Sequence, residues 1–373
     1  MIKIDRNTLI KRIQPLLRVA TIKGLPVYEC VLMEARKYED TIRLSCTNGD
    51  IAVTCTMSLP EKSPEHFLTC VPARLLADMF KQLPEGEVTL EHTEQGLAVI
   101  WNAGRSSLYT VDWLDFPSSQ KIEEKTKGTL RNETLSGALK SVIGSTADDS
   151  YGRPALSSIN FDCLGGILNI VASDSHQLMC VTMNAEVPDG SFLLPEAAAQ
   201  VLKGILAESQ EETTELSCDD VHVLFRSGEY SMTSNLVNAK FPKYRGIIPT
   251  TPEGILTIDK ALLTGTIKRS LVFANKEHSN IIMTFSEGKV TFEAKDLMYG
   301  MQCTDVIGCD YSGPKISVNI KGHTLLGIIA SMQGERVELG VTEGINPLRI
   351  RPAEQESENE SQVAVLMPLI IKK

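Results

Sequence analysis

The chain lacks most of what would mark an enzyme, a membrane protein or a secreted one. No apolar run approaches the length needed to cross a bilayer as a helix. The N-terminal MIKIDRNTLIKRI is amphipathic and carries an acid at Asp5, so it has no uninterrupted apolar signal segment. The nine cysteines, an odd number, include no CxxC; Cys303 and Cys309 are the closest two. That scatter predicts reduced thiols in a cytoplasm rather than a disulfide framework. Histidines 66, 92, 176, 222, 278 and 323 show no metal-ligand spacing with one another or with cysteine. No metal and no cofactor is expected. Glycine-rich phosphate loops are missing, and Gly165-Gly166, between two apparent strands, reads as a hairpin turn. Asp174, Ser175 and His176 are hydrolase residue types, but neighbours in one tight turn cannot converge on a substrate. No carboxylate pattern singles out an acid–base pair. The expectation is a soluble, non-enzymatic protein without membrane contact.

What the sequence does contain is a repeat. Val71 to Glu91 holds one complete unit: Pro72 at a helix start, then Leu75, Leu76, Met79, Phe80 and Leu83 at helical spacing. Arg74, Asp78 and Lys81 fall on the opposite face, with Arg74 and Asp78 placed to pair. Pro84-Glu85-Gly86 ends the helix, and Val88 and Leu90 alternate as in a half-buried strand. The same order recurs from Thr8 to Arg18, Glu133 to Ile143, Pro195 to Leu206, Asp259 to Leu271 and Ile320 to Met332. With starts at 8, 72, 133, 195, 259 and 320, the intervals are 64, 61, 62, 64 and 61 residues. Such regularity is an internal repeat.

Polar stretches at 118–128 and 249–254 break the six units into pairs. The 373 residues therefore divide into three similar domains, near 1–120, 128–248 and 255–373. Leu44 to Met57 lines up with Ile170 to Met183 at an offset of 126, and Phe116-Pro117 recurs as Phe241-Pro242. The fold class expected is α+β, with two helices per domain packed on antiparallel sheets. The run from Glu354 to Gln362 reads as an acidic surface loop. Pro368 stops the ladder of the apolar ending that follows it.

Charge is informative once it is placed on these elements. The net charge of −10 argues, taken alone, against a nucleic-acid binder. Yet the six helical windows carry +3, +1, 0, 0, +2 and +1, together +7, which leaves −17 for everything else. Helices tolerate Lys and Arg well, so part of this is ordinary. The sharper reading is a basic helical face opposed to an acidic sheet face, a field that draws a polyanion to one surface. Helices pack roughly 8–10 Å apart. Twelve of them, from two copies, would close a ring of about 35 Å between axes, leaving a hole fit for a duplex after subtracting roughly 10 Å of helix thickness. Head-to-tail association closes such a ring. The interface expected is the bare edge of the Leu108-containing strand against Leu271, Val272 and Phe273.

RPALSSINFDCLGGILNIVASDSHQLMCVTM (153–183), FPKYRGIIP (241–249), VPARLLADMFKQLPEG (71–86) and VAVLMPL (363–369) together resemble the bacterial sliding clamp family, the β subunit of the replicative DNA polymerase. The resemblance runs the length of the chain in the right order. It implies three similar domains per chain and a head-to-tail homodimeric ring around double-stranded DNA, bound without regard to sequence. It also implies a hydrophobic cleft that takes short apolar motifs of polymerase subunits, the clamp loader and repair proteins. Carried over position by position, the cleft is Leu156, Ser173, Ser175, His176, Leu178, Pro242, Ile247, Val365, Met367, Pro368 and Leu369. Methionine suits a promiscuous lining. The candidate phosphate contacts are Lys11, Lys23, Arg74, Lys81, Lys140, Arg153, Lys203 and Lys268, a collectively salt-sensitive lining. The chain departs from the family pattern at Ser173, Ser175 and Gln177, where Thr, Gly and Arg are usual. It departs again at Pro154-Ala155, Glu196-Ala197 and Gly246. Two other readings are a divergent or element-borne clamp, and a repeat-built protein-binding scaffold that does not encircle DNA.

Overall fold

The computed structural model describes residues 1–21, 24–118, 122–123, 125–148, 152–355 and 360–369. The chain divides into two compact units. The first is Met1–Ser136 with Glu186–Pro188 and Ala197–Leu236; the second is Gly137–Ala185, Asp189–Glu196 and Val237–Lys373. Six α-helices are present among the described residues: α1 (Arg6–Ile13), α2 (Ala73–Gln82), α3 (Asn132–Val142), α4 (Glu196–Glu208), α5 (Lys260–Val272) and α6 (Gly322–Ser331). Within the first unit α1 packs on α2, and within the second α5 packs on α6.

Each unit holds one large sheet and one of four strands, antiparallel throughout. The large sheet of the first unit runs Phe67–Pro72, Cys30–Ala35, Thr41–Thr47, Ile51–Ser58, Tyr230–Asn235, His222–Ser227, Thr213–Cys218 and Thr126–Arg131. Strands from the first and middle thirds of the chain join where Cys55 faces Tyr230. In the second unit the order is Gly190–Pro195, Ser158–Leu164, Ile167–Ser173, Gln177–Asn184, Ser361–Leu366, Leu348–Pro352, Arg336–Val341, Gly254–Asp259 and Asp310–Ser312. There the middle third meets the last where Leu178 faces Val365. The four-stranded sheets end in open strands, Gly104–Leu108 in one unit and Met301–Gly308 in the other. Strand interiors alternate as a sheet with one buried face requires: Ile51, Val53, Cys55 and Met57 point inward and their neighbours outward.

The offset of 126 holds to the residue. The hairpin Thr41–Thr47/Ile51–Ser58 maps onto Ile167–Ser173/Gln177–Asn184. Asn48 Oδ1 accepts from the N–H groups of Asp50 and Ile51, as Asp174 Oδ1 does from His176 and Gln177. Thr47 Oγ1 donates to the Ile51 carbonyl, and Ser173 Oγ to that of Gln177. These are one turn used twice, a polar side chain standing in for backbone. Gly165-Gly166 is the expected two-residue hairpin, at φ 62° and 78°.

Several local expectations are corrected. The first helix starts at Arg6, because Asp5 caps it by accepting from Thr8 N at 2.8 Å, and it stops at Ile13. Pro15 cannot continue the ladder, and a 3-10 turn over Leu16–Arg18 follows. The buried face of α2 is Ala73, Leu76, Ala77 and Phe80; Leu75, one position off that stripe, is 46% exposed. Asp78 pairs with Lys81 at 2.9 Å instead of Arg74, whose guanidinium donates to the carbonyls of Leu17 and Ala20. Pro72 is the last residue of a strand and the helix N-cap. Gln362 is no loop residue: it is a buried strand position whose Oε1 accepts from Gln333 N and whose Nε2 donates to the Ser331 carbonyl. None of the nine cysteines forms a disulfide, and six are buried; burial pushes the Cys55 thiol up to about 12.

Candidate functional site

In the second unit, the turn after Ile167–Ser173 carries most of the polar cleft candidates. Ser175 sits at its apex in the left-handed region, φ 77°. Its N–H donates to Ser173 Oγ at 3.2 Å, and Arg153 Nη1 reaches its hydroxyl at 3.5 Å. His176 is exposed, and its carbonyl accepts from Met367 N at 2.8 Å. That bond carries the ladder one residue past Leu366, after which Pro368 offers no donor. Leu369 N then donates to the Asn319 carbonyl at 2.7 Å, so the described end of the chain is held on both sides of its proline.

Below the turn lies a packed cluster of Val171, Leu178, Cys180, Tyr244 and Val365, with Phe241, Ile248 and Val363 against it. Leu178 and Val365 are buried within that cluster, and Leu156 is buried as well. Of the remaining cleft candidates Ile247 is 44% exposed and Met367 36% exposed, and Pro242 and His176 are exposed too. A buried apolar cluster with a few exposed hydrophobic residues beside it is a surface chemically suited to apolar side chains.

Tyr244 fixes the segment that bears Pro242 and Ile247. Its hydroxyl donates to Asp162 Oδ2 at 2.6 Å, and Arg245 Nη2 donates to the same oxygen at 2.9 Å. Burial first, and then the hydroxyl's bond to Asp162, raise the phenol above its ordinary range, so it stays a donor. Further on, Arg349 Nη1 donates to the carbonyls of Pro249 and Thr250. Glu338 accepts from both Arg349 and Arg351. Burial acts to raise the Glu338 carboxyl, but the two guanidinium partners overcome it and hold the group below its usual value. The loop is thus pinned at Tyr244 and again at Pro249. Sequence reasoning missed Tyr244, Asp162 and Val171; the aromatic within FPKYR was the available signal for the first.

The basic candidates distribute over both units. In the first, Lys11 is exposed on α1, and Arg74 and Lys81 line a groove of about 420 Å³ with Gln14, Arg18 and Gly204. Arg18, which was not among the candidates, lies so close to Gly204 that a Cβ there would stand 2.9 Å from its Nε. Asp78 and Glu208 also line the groove, so its field is mixed. Lys203 is half-buried on α4. In the second unit Lys140 and Lys268 are exposed on helices, whereas Arg153 stands beside the Ser175 turn. Lys23 lies outside the described residues, as do Ile370 to Lys373.

Of the expected interface residues only Leu108 lies in an open strand; Leu271 and Val272 end the helix α5 and Phe273 caps it, so they offer no edge for strand pairing, and the long open edge of that unit is Met301–Gly308. Leu108 is buried at the end of the edge strand Gly104–Leu108. Val272 is 70% exposed at the end of α5, Phe273 is also exposed, and Leu271 is half-buried.

Comparison with known proteins gives a consistent result. Three consecutive stretches match the DNA polymerase III beta subunit: the N-terminal domain over residues 1–120, the central domain over 129–243 and the C-terminal domain over 245–369. The chain is 25% identical over 354 residues to the beta sliding clamp of Proteus mirabilis, covering 93% of this chain and 94% of that protein. It is 23% identical over 373 residues to that of Escherichia coli K12, covering 98% of each. Among solved structures, the DNA polymerase III beta subunit of Thermotoga maritima superposes with a TM-score of 0.92 at 20% identity, over 100% of this chain and 99% of that one. A sliding clamp from Pseudomonas aeruginosa bound to griselimycin gives 0.92 at 22% identity, over 99% of each. These structural likenesses establish the three-domain clamp fold.

Proposed function

The chain belongs to the DNA polymerase III beta subunit family of DNA sliding clamps, and on that footing we propose that it works as a head-to-tail homodimeric ring around duplex DNA. A sliding clamp is a DNA polymerase accessory subunit, and the chemistry is left to the polymerase that it tethers. The observation that carries the reading is the unbroken order of the three family domains across residues 1–369. In this account the domains near 1–120, 128–248 and 255–373 each supply two helices to the inner wall. Lys11, Arg74, Lys81, Lys140, Lys203 and Lys268 face the phosphates there, and weak, register-free contacts let the ring slide.

The cleft over Leu178, Val365 and Tyr244, rimmed by Ile247, Met367, Pro242 and His176, takes the apolar motifs of polymerase subunits, the loader and repair proteins. Two or three buried apolar side chains would contribute about 1.5–3 kcal/mol each. Ordering a flexible peptide offsets much of that, so affinity on the order of micromolar is expected. Partners that exchange on one ring need such a value.

Sedimentation tests the assembly. The native protein should run at about twice the 40.9 kDa chain mass. A particle of single-chain mass at micromolar concentration would remove the ring.

A further inference from the structure

Two long strand edges are left open, and exposed apolar side chains stand beside both of them. Of the other sheet edges among the described residues, Asp310–Ser312 is bare but only three residues long, and the rest are covered. Val111 bridges to Cys70, Glu186 to Thr129, and Val237 N donates to the Leu193 carbonyl. Leu369 N caps the strand Ile316–Lys321 at Asn319, while Lys3–Glu61 guards the strand Ile2–Asp5 with a surface ion pair. Gly104–Leu108 and Met301–Gly308 carry ion pairs of their own, Arg105–Glu91 and Arg269–Asp305, but among the described residues no further segment bonds through its backbone to either edge. An uncovered edge is a template for another chain.

The tip of the hairpin leading into Met301–Gly308 is Leu297-Met298-Tyr299-Gly300. Leu297 is 91% exposed, Met298 81% and Tyr299 68%. A tight turn is an ordinary place for Asp, Asn and Ser, and three large apolar groups there face water at a cost. Beyond the other open edge the chain continues through Tyr109 to a 3-10 turn, Trp113–Asp115, held by Asp112 accepting from Leu114 N. Tyr109, Trp113 and Leu114 are likewise exposed.

The sense of pairing decides whether these patches meet. Every strand pair among the described residues is antiparallel. In an antiparallel pair between copies, the Leu108 end of one strand lies against the Met301 end of the other. Tyr109 to Leu114 and Leu297 to Gly300 then project past the same end of the paired block. A parallel pair would separate them and leave both in water. We propose that the Leu297–Tyr299 hairpin tip of one copy seats against Tyr109, Trp113 and Leu114 of a second copy, forming an apolar clasp outside the strand pairing. The clasp rests on the head-to-tail reading and extends it. Its chemistry makes closure insensitive to salt and selective for a copy that carries both patches.

Complementation tests this without depending on one variant's behaviour. Variant T carries Leu297→Ser, Met298→Ser and Tyr299→Ser; variant R carries Trp113→Ser and Leu114→Ser. None of the five side chains belongs to the buried core, and circular dichroism and a urea melt check that each variant is folded. Each variant alone should show a dimer dissociation constant raised about 100-fold by sedimentation. Mixing T with R leaves one intact clasp in each mixed ring, so heterodimers should form in preference to either homodimer. Dimers of T and R as tight as the native one, or no preference on mixing, overturn the clasp. The double variant Val272→Glu, Phe273→Glu separates the two readings. If it is monomeric while T and R stay tight, the interface stands and the clasp falls. If it too stays dimeric, the interface itself is misplaced, and the clasp falls with it.

Discussion

Ser175 stands at φ 77° in the turn where its twin, 126 residues earlier, is Gly49 at φ 94°. A side chain in the left-handed region costs roughly 1–2 kcal/mol, of which glycine's greater chain entropy returns roughly 0.5–1. Ser175→Gly should therefore stabilise the protein by about 0.5–1 kcal/mol in a urea melt. Its polar network survives, because Asp174 supplies the acceptor for both His176 and Gln177. Equal or lower stability would mean that the Arg153–Ser175 contact matters more than the backbone strain. The single-residue misreadings share one cause. Leu75 is apolar but off the stripe, and Arg74 prefers carbonyls to Asp78. Both depend on what lies opposite the helix, which spacing alone does not encode.

At the scale of elements, the chain was most legible where a local signal is also the physical cause. Helical periodicity located all six helices to within two residues at most ends, and Gly165-Gly166 made its hairpin. The exception is α1, whose true start is set by Asp5 and whose end is set by Pro15. The tail is the element on which the cleft depends. Its strand Ser361–Leu366 is buried in a sheet, whereas among the described residues Met367 to Leu369 is held by two backbone bonds. Removing the chain from Met367 onward should abolish binding of a labelled polymerase C-terminal peptide in fluorescence anisotropy and leave the dimer intact. His176→Ala should weaken binding less, since His176 stands at the rim and the apolar floor lies elsewhere. Undiminished affinity in the truncated dimer would place the peptide site elsewhere.

At the scale of the whole molecule, the repeat was visible but its joinery was not. Cys55 faces Tyr230 and Leu178 faces Val365 across about 175–190 residues of chain, pairings that no local pattern records. The cleft was legible only in part for the same reason: Leu178 and Val365 could be named, but Tyr244 and Asp162 enter through a hydrogen bond between segments. Charge works at this scale too. An acidic protein of net −10 binds DNA through the placement of its cations, so affinity for short linear duplex should be weak and fall steeply with salt. Arg74→Glu with Lys268→Glu should weaken that signal further without changing oligomeric state. The central claim is that the protein holds DNA by enclosing it. The direct measurement is retention of loaded protein on a closed circular duplex in high salt, before and after the circle is cut once. Enclosure predicts persistence on the closed circle and loss on cutting; equal retention on cut and closed DNA would contradict it.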